Sequence, residues 1–117
     1  MKGENMLEYM NRADTFKSSA KFYLSNKKLY KDLLAGKNKP DNEQYLQYIH
    51  DDLAYLEKTL DIIKEKCGPG ARLIMYLLFV ERRTQQDVAK EYNFTRRQLQ
   101  YSVAKWMQAV FGEAADV

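Results

Sequence analysis

The segment Thr84 to Phe111, TQQDVAKEYNFTRRQLQYSVAKWMQAVF, decides the fold. Thr84 stands before a short apolar-periodic run holding Val88, Ala89 and Tyr92, and a threonine there can accept from a backbone N–H that a helix's first turn leaves unpaired. Asn93 and Phe94 interrupt the period, and Asn tolerates the left-handed backbone that a tight turn often demands. Thr95 then restarts it. Gln98 completes a capping box, and Phe94 is placed to staple onto Leu99. Beyond it Leu99, Val103, Trp106 and Val110 are expected to form a buried stripe. The small Ala89 lets the two helices approach closely, so the sequence predicts a helix-turn-helix.

Working outward, the stretch GARLIMYLLFVERR after Pro69 reads as a largely buried helix running to Arg83, with Pro69 an ideal first-turn residue. Gly68 to Gly70 and Gly36 to Pro40 punctuate the chain, and the patterns between them are helical. Leu46, Ile49, Leu53, Leu56, Leu60, Ile63 and Cys67 alternate spacings of three and four, the heptad seam of one long helix. Pro40, Asp41 and Gln44 signal its start, and Gly68 its stop. Upstream, Tyr9, Ala13, Phe16, Ala20, Tyr23, Tyr30 and Leu34 repeat the spacing, with Lys27 as a polar interruption and Asp14 and Thr15 as a possible break. Residues 17 to 39 hold seven Lys and one Asp, while residues 41 to 66 hold seven acids and three Lys. A basic and an acidic helix joined by KNKP are expected to fold back as an antiparallel hairpin. Tyr48, Tyr55 and Ile62 form a second stripe that one hairpin partner cannot cover, so the third block or a second copy must. The expectation is therefore an all-α chain: residues 1–67 a helical hairpin serving as scaffold and dimerisation element, residues 68–117 a helix-turn-helix unit.

Composition narrows the function. A chain of 117 residues supports one domain, or a small domain with a helical appendage, and leaves no room for a cleft between two lobes. One Cys and one His exclude an internal disulfide and a Cys/His metal cluster, so no metal or other cofactor is expected. No apolar run approaches the ~20 residues of a membrane span, and MKGENMLEYM has no apolar signal core, so a cytoplasmic protein without membrane contact is expected. Neither a Gly-rich phosphate loop nor a nucleophile with a His partner is visible, which argues against an enzyme. Net charge is only +3, so nucleic-acid binding must be local. The local patch is residues 82 to 105, where six Lys and Arg face Asp87 and Glu91.

The stretch from Thr84 to Val110 resembles region 4 of sigma-70-type factors, which reads the promoter −35 element. The agreement includes Thr84, Asp87, Val88, Lys90, Tyr92, Asn93, Thr95, Arg96, Leu99, Ala104 and Lys105, with the helix from Pro69 in the place of the preceding part of that region. The family's reading helix usually has acidic and Arg residues where this chain has Arg97, Gln98, Gln100 and Tyr101, so its base preference is not carried over. The first 67 residues are too short, and patterned wrongly, for the domain that melts the −10 element. A unit of this kind behind a small helical domain resembles the compact transcriptional regulators of phages and mobile elements of Gram-positive bacteria, of the RinA and ArpU type.

Helical geometry then places the contacts. With Leu99, Val103 and Trp106 inward, Arg97, Tyr101, Ala104 and Gln108 point outward and Gln100 and Lys105 lie on the flanks. Arg97, Gln100 and Tyr101 are the expected base contacts, since Arg pairs with guanine and Gln with adenine in the major groove. Arg83, Thr84, Gln85, Lys90, Thr95, Arg96 and Lys105 are the expected phosphate contacts, Arg96 lying nearer the core. The partners expected are double-stranded DNA and a second copy of the chain. The competing reading is a module that binds RNA polymerase, or another protein, through a fold resembling sigma region 4 without reading bases. Tyr9, Tyr23, Tyr30, Tyr45 and Tyr92 are expected to be packing residues, His50 a surface residue beside Asp51 and Asp52, Cys67 a small core residue, and Trp106 the anchor of the last helix.

Overall fold

The computed structural model describes residues 12–36 and 43–112. Five helices follow one another, with no strand among the described residues: α1 (Arg12–Leu34), α2 (Glu43–Cys67), α3 (Pro69–Met75, continuing into a π-helical turn over Tyr76–Val80), α4 (Gln85–Glu91) and α5 (Arg96–Phe111). The fold is all-α, as the periodicities predict. Among the described residues no helix is long and apolar enough to cross a membrane.

α1 runs unbroken through Asp14 and Thr15, the site of the possible break, and Asp14 in its first turn complements the positive end of the helix dipole. Its seam buries Ala13, Phe16, Ala20 and Tyr23 at the expected spacing. The last seam residue is not the expected one. Leu34 is 61% exposed, and Leu33 is buried in its stead. From Tyr30 the seam takes a step of three rather than four, which 3.6 residues per turn permits equally. Tyr9, Pro40 and Asp41 lie outside the described residues.

α2 buries Ile49, Leu56, Leu60 and Ile63, while Leu46, Leu53 and Cys67 are half-buried, so the heptad seam stands. Hydroxyl and amide donors from α1 reach its carboxylates. The Ser19 hydroxyl donates to Asp52 Oδ1 at 2.9 Å and Asn26 Nδ2 donates to Oδ2 at 3.3 Å, so one carboxylate spans two turns of α1. The Tyr23 hydroxyl donates to Glu57 Oε2 at 2.7 Å, and the Tyr30 and His50 rings lie 5.9 Å apart. As numbers rise along α1 from Tyr23 to Tyr30, partners fall from Glu57 to His50, so the helices run in opposite directions. Burial, with the neighbouring Glu57 carboxylate, pushes the Tyr23 phenol up to about 12.

Gly68 alone joins α2 to α3. Its φ of 100° is closed to an L side chain without strain, and Pro69 follows as the first helical residue. α3 buries Ala71, Ile74 and Met75 but leaves Leu73 43% exposed, so it is buried on one side only. The helical stretch also ends three residues before the expected Arg83. Its last turn widens to π geometry: the Glu81 amide donates to the Tyr76 carbonyl, Arg82 turns left-handed at φ 58°, and the Arg83 amide donates to the Leu77 carbonyl. These bonds use the carbonyls that the helix end would otherwise leave open.

Both sides of Gly68 share one core. Phe16 of α1 is fully buried, edge-on to Phe79 at 5.7 Å and tilted against Phe111 of α5 at 5.6 Å. Leu56, Leu60 and Ile63 of α2, Met75 of α3, Val88 of α4 and Leu99, Val103 and Met107 of α5 join the same cluster. The second stripe of α2 is partly covered: Tyr55 and Ile62 are half-buried, whereas Tyr48 is 69% exposed. Tyr45, expected to pack, is also exposed, because it lies in the first described turn of α2, beyond the shared core.

In urea unfolding, Leu33→Ala should cost about 2 kcal/mol or more, as buried leucines do, whereas Leu34→Ala should stay within about 0.5 kcal/mol. The reverse order would reject the seam described above. Since folding raises the Tyr23 pKa, the folded state favours the protonated phenol. Its contribution is fully present below about pH 10 and is lost as the pH rises towards about 12. Stability measured over that window should fall less steeply in Tyr23→Phe.

Candidate nucleic-acid interface

α4 and α5 are fixed at both ends of the turn between them. The Thr84 hydroxyl accepts from the Asp87 amide at 3.0 Å. At the far end of α4 the Tyr92 amide donates to the Val88 carbonyl, Asn93 takes the left-handed conformation at φ 64°, and the Phe94 amide donates to the Ala89 carbonyl at 2.8 Å. That last bond is the long link of a Schellman ending, with Asn in the place usually held by Gly. One residue later the capping box of α5 is complete: the Thr95 hydroxyl accepts from the Gln98 amide at 3.0 Å, and Gln98 Oε1 accepts from the Thr95 amide at 2.9 Å. Phe94 packs on the core that contains Leu99. Each of these signals is local, and each holds.

The buried stripe of α5 differs from the expected one. Leu99 and Val103 are buried, but the stripe continues through Met107 and Phe111, while Trp106 and Val110 are half-buried at its edge. Steps of four advance about 40° around the helix each time, so the stripe slants across α5 and carries Phe111 to Phe16. Trp106 lies at the margin, where an indole N–H can meet solvent.

The slant leaves Arg97, Tyr101, Lys105 and Gln108 exposed together, with Tyr101 at 70%, and α5 contains no acidic residue. The face is polar and basic, and Tyr101 is the large apolar side chain exposed on α5. Gln100 stands apart from it. It is half-buried, its Nε2 donating to Gln85 Oε1 of α4 at 2.8 Å, and the same oxygen accepts from Arg96 Nε at 3.4 Å. Arg96 therefore lies exposed at the mouth between the two helices rather than near the core. Because its carbonyl holds two donors of α5, Gln85 is the polar hinge of the pair.

The expected phosphate contacts divide. Lys90 and Lys105 are exposed. Thr84 and Thr95 spend their oxygen lone pairs on caps, though a hydroxyl can still donate outward. Arg83 Nη2 donates to Glu91 Oε1 across α4, and that bond holds its guanidinium pKa above the ordinary value. The Gln85–Gln100 pair spans fifteen residues and joins only through the turn at Asn93, and the Arg83–Glu91 pair spans the whole of α4 from a residue just before it, so neither spacing carries a local signal in the sequence. His50 is exposed beside Asp51, as expected, and among the described residues no acidic, His and Cys side chains gather as a metal site. Comparison with protein-family models, with curated proteins and with solved structures finds no match.

Removing a cap tests this geometry. Thr95→Ala should cost about 1 kcal/mol, and Asn93→Val, which puts a β-branched residue at positive φ, about 1 to 2 kcal/mol. Both are read by thermal and urea unfolding, and an unchanged Asn93→Val would contradict the left-handed turn.

Proposed function

We propose that this chain is a sequence-specific DNA-binding regulator of transcription, with α4 and α5 a helix-turn-helix that places α5 in the major groove. The observation that carries the reading is the acid-free exposed face of α5, presented by a helix whose start is locked by a complete capping box. Arg97 and Tyr101 read base edges. Gln100, its amide nitrogen held by Gln85, retains a carbonyl oxygen to accept from a base amino group. Arg96, Lys90 and Lys105 hold phosphates, with the Thr84 and Thr95 hydroxyls and the Gln85 amide as neutral donors beside them. Arg83 joins them only by exchanging Glu91 for a phosphate. Two copies paired through the exposed Tyr48 side of α2 would place two reading helices on neighbouring half-sites.

Selection from random duplex DNA tests the proposal. A defined site is expected, built of half-sites about 10 base pairs apart if two copies bind. On that site Arg97→Ala should lose about 1 to 3 kcal/mol and relax preference at one position. Lys90→Ala should instead weaken all sequences alike and flatten the salt slope by about one unit. Unchanged binding by a folded Arg97→Ala would reject the reading face, and the polymerase-gripping alternative would replace it.

A further inference from the structure

Two donors of α5 converge on one oxygen of α4. Gln85 Oε1 accepts from Gln100 Nε2 at 2.8 Å and from Arg96 Nε at 3.4 Å. Arg96 and Gln100 stand four residues apart, as neighbours on one flank of the helix. Gln85 and Gln100 are half-buried, whereas Arg96 is exposed.

The three side chains have a fixed sense. A pair of glutamines alone is satisfied in either sense, since turning both amides over merely exchanges donor and acceptor. A guanidinium, in contrast, only donates. With Arg96 Nε directed at Gln85, the atom that it meets must be the oxygen, and the atom of Gln100 that meets the same oxygen must be Nε2. Gln100 Oε1 is thereby turned away from Gln85. Arg96 thus decides which end of the Gln100 amide is left for a ligand, and it does so through Gln85. In the major groove this end matters, because adenine N6 and cytosine N4 donate whereas guanine O6 and N7 and thymine O4 accept. A carbonyl oxygen suits the first two bases and sets lone pair against lone pair with the others. A glutamine free to turn over would serve all four.

We infer that Gln85 and Arg96 are positioning residues for base selection: through their shared oxygen they hold Gln100 as an acceptor, so that the base it faces is one bearing a major-groove amino group. The inference rests on the DNA reading of α5. It goes beyond that reading in giving Arg96, there a phosphate contact, an effect on sequence preference that a phosphate contact alone does not have.

Fluorescence anisotropy of the full chain with the selected duplex and its single-base variants tests it. The position that Gln100 reads is the one whose preference Gln100→Leu abolishes, and there the unaltered chain should favour adenine or cytosine over guanine and thymine by about tenfold. Gln85→Leu should bring that ratio to within about twofold. Arg96→Met, at an exposed position, should do the same while also weakening all sequences alike. Gln85→Glu, whose carboxylate still only accepts, should keep the ratio although its charge weakens binding to every duplex. In the Gln100→Leu background, Gln85→Leu should change the preference no further. A ratio unchanged in Gln85→Leu or in Arg96→Met, a preference for guanine or thymine, or a Gln100→Leu that alters no position would overturn the inference, while loss of preference in Arg97→Ala would leave the α5 reading intact. Failure of the unaltered chain to discriminate among duplexes would overturn both.

Discussion

The wedge of Phe16 between Phe79 and Phe111 is the contact on which the rest of the molecule depends. It joins the first described helix, the π turn and the last helix in one contact, and each ring comes from a segment that cannot bury its apolar side alone. A ring of this size contributes more through burial than the polar links between the same segments, each worth about 1 kcal/mol. It also fixes orientation. With Phe16 inward, Lys17 and Lys21 are carried to the side of α1 that faces Arg82 and Gln85, and with Phe111 inward, the Arg97 and Tyr101 face of α5 is carried away from the core.

Local charge, more than net charge, follows from this packing. The balance of +3 conceals an acidic helix, a basic helix and an acid-free helix. Asp52 and Glu57 of the acidic helix are occupied by hydroxyl and amide donors of α1, which holds them away from α5. Within α4 and its approach, Glu91 is matched with Arg83. Arg96, Arg97 and Lys105 of α5 face solvent with no acid on their own helix, and a local basic face of this kind suits a polyanion.

Much of the fold was legible because its signals are local. The heptad seam of α2, the joint at Gly68 and Pro69, the two threonine caps and the left-handed Asn93 each depend on residues within a few positions of one another. What escaped depends on how helices cross. Met107 and Phe111 replace Trp106 and Val110 because α5 is slanted, and no periodicity within α5 states its angle to α1. The π turn leaves no mark in YLLFV, and the left-handed Arg82 that follows it redirects the chain into α4. Of the candidate site, Arg97 and Tyr101 were legible from helical geometry alone. The tie of Gln100 to Gln85 was not, since it needs the two helices already docked.

In the proposed function, the surface that runs from α5 to Gln85 meets duplex DNA. Amide chemical-shift mapping of the 13.8 kDa chain with an unlabelled duplex of the selected sequence tests it most directly. The largest shifts are expected at Thr95 to Tyr101 and at Thr84 to Gln85, with the solvent side of α2 around Lys58 unmoved. Shifts confined to α2, or absent from α5, would contradict it.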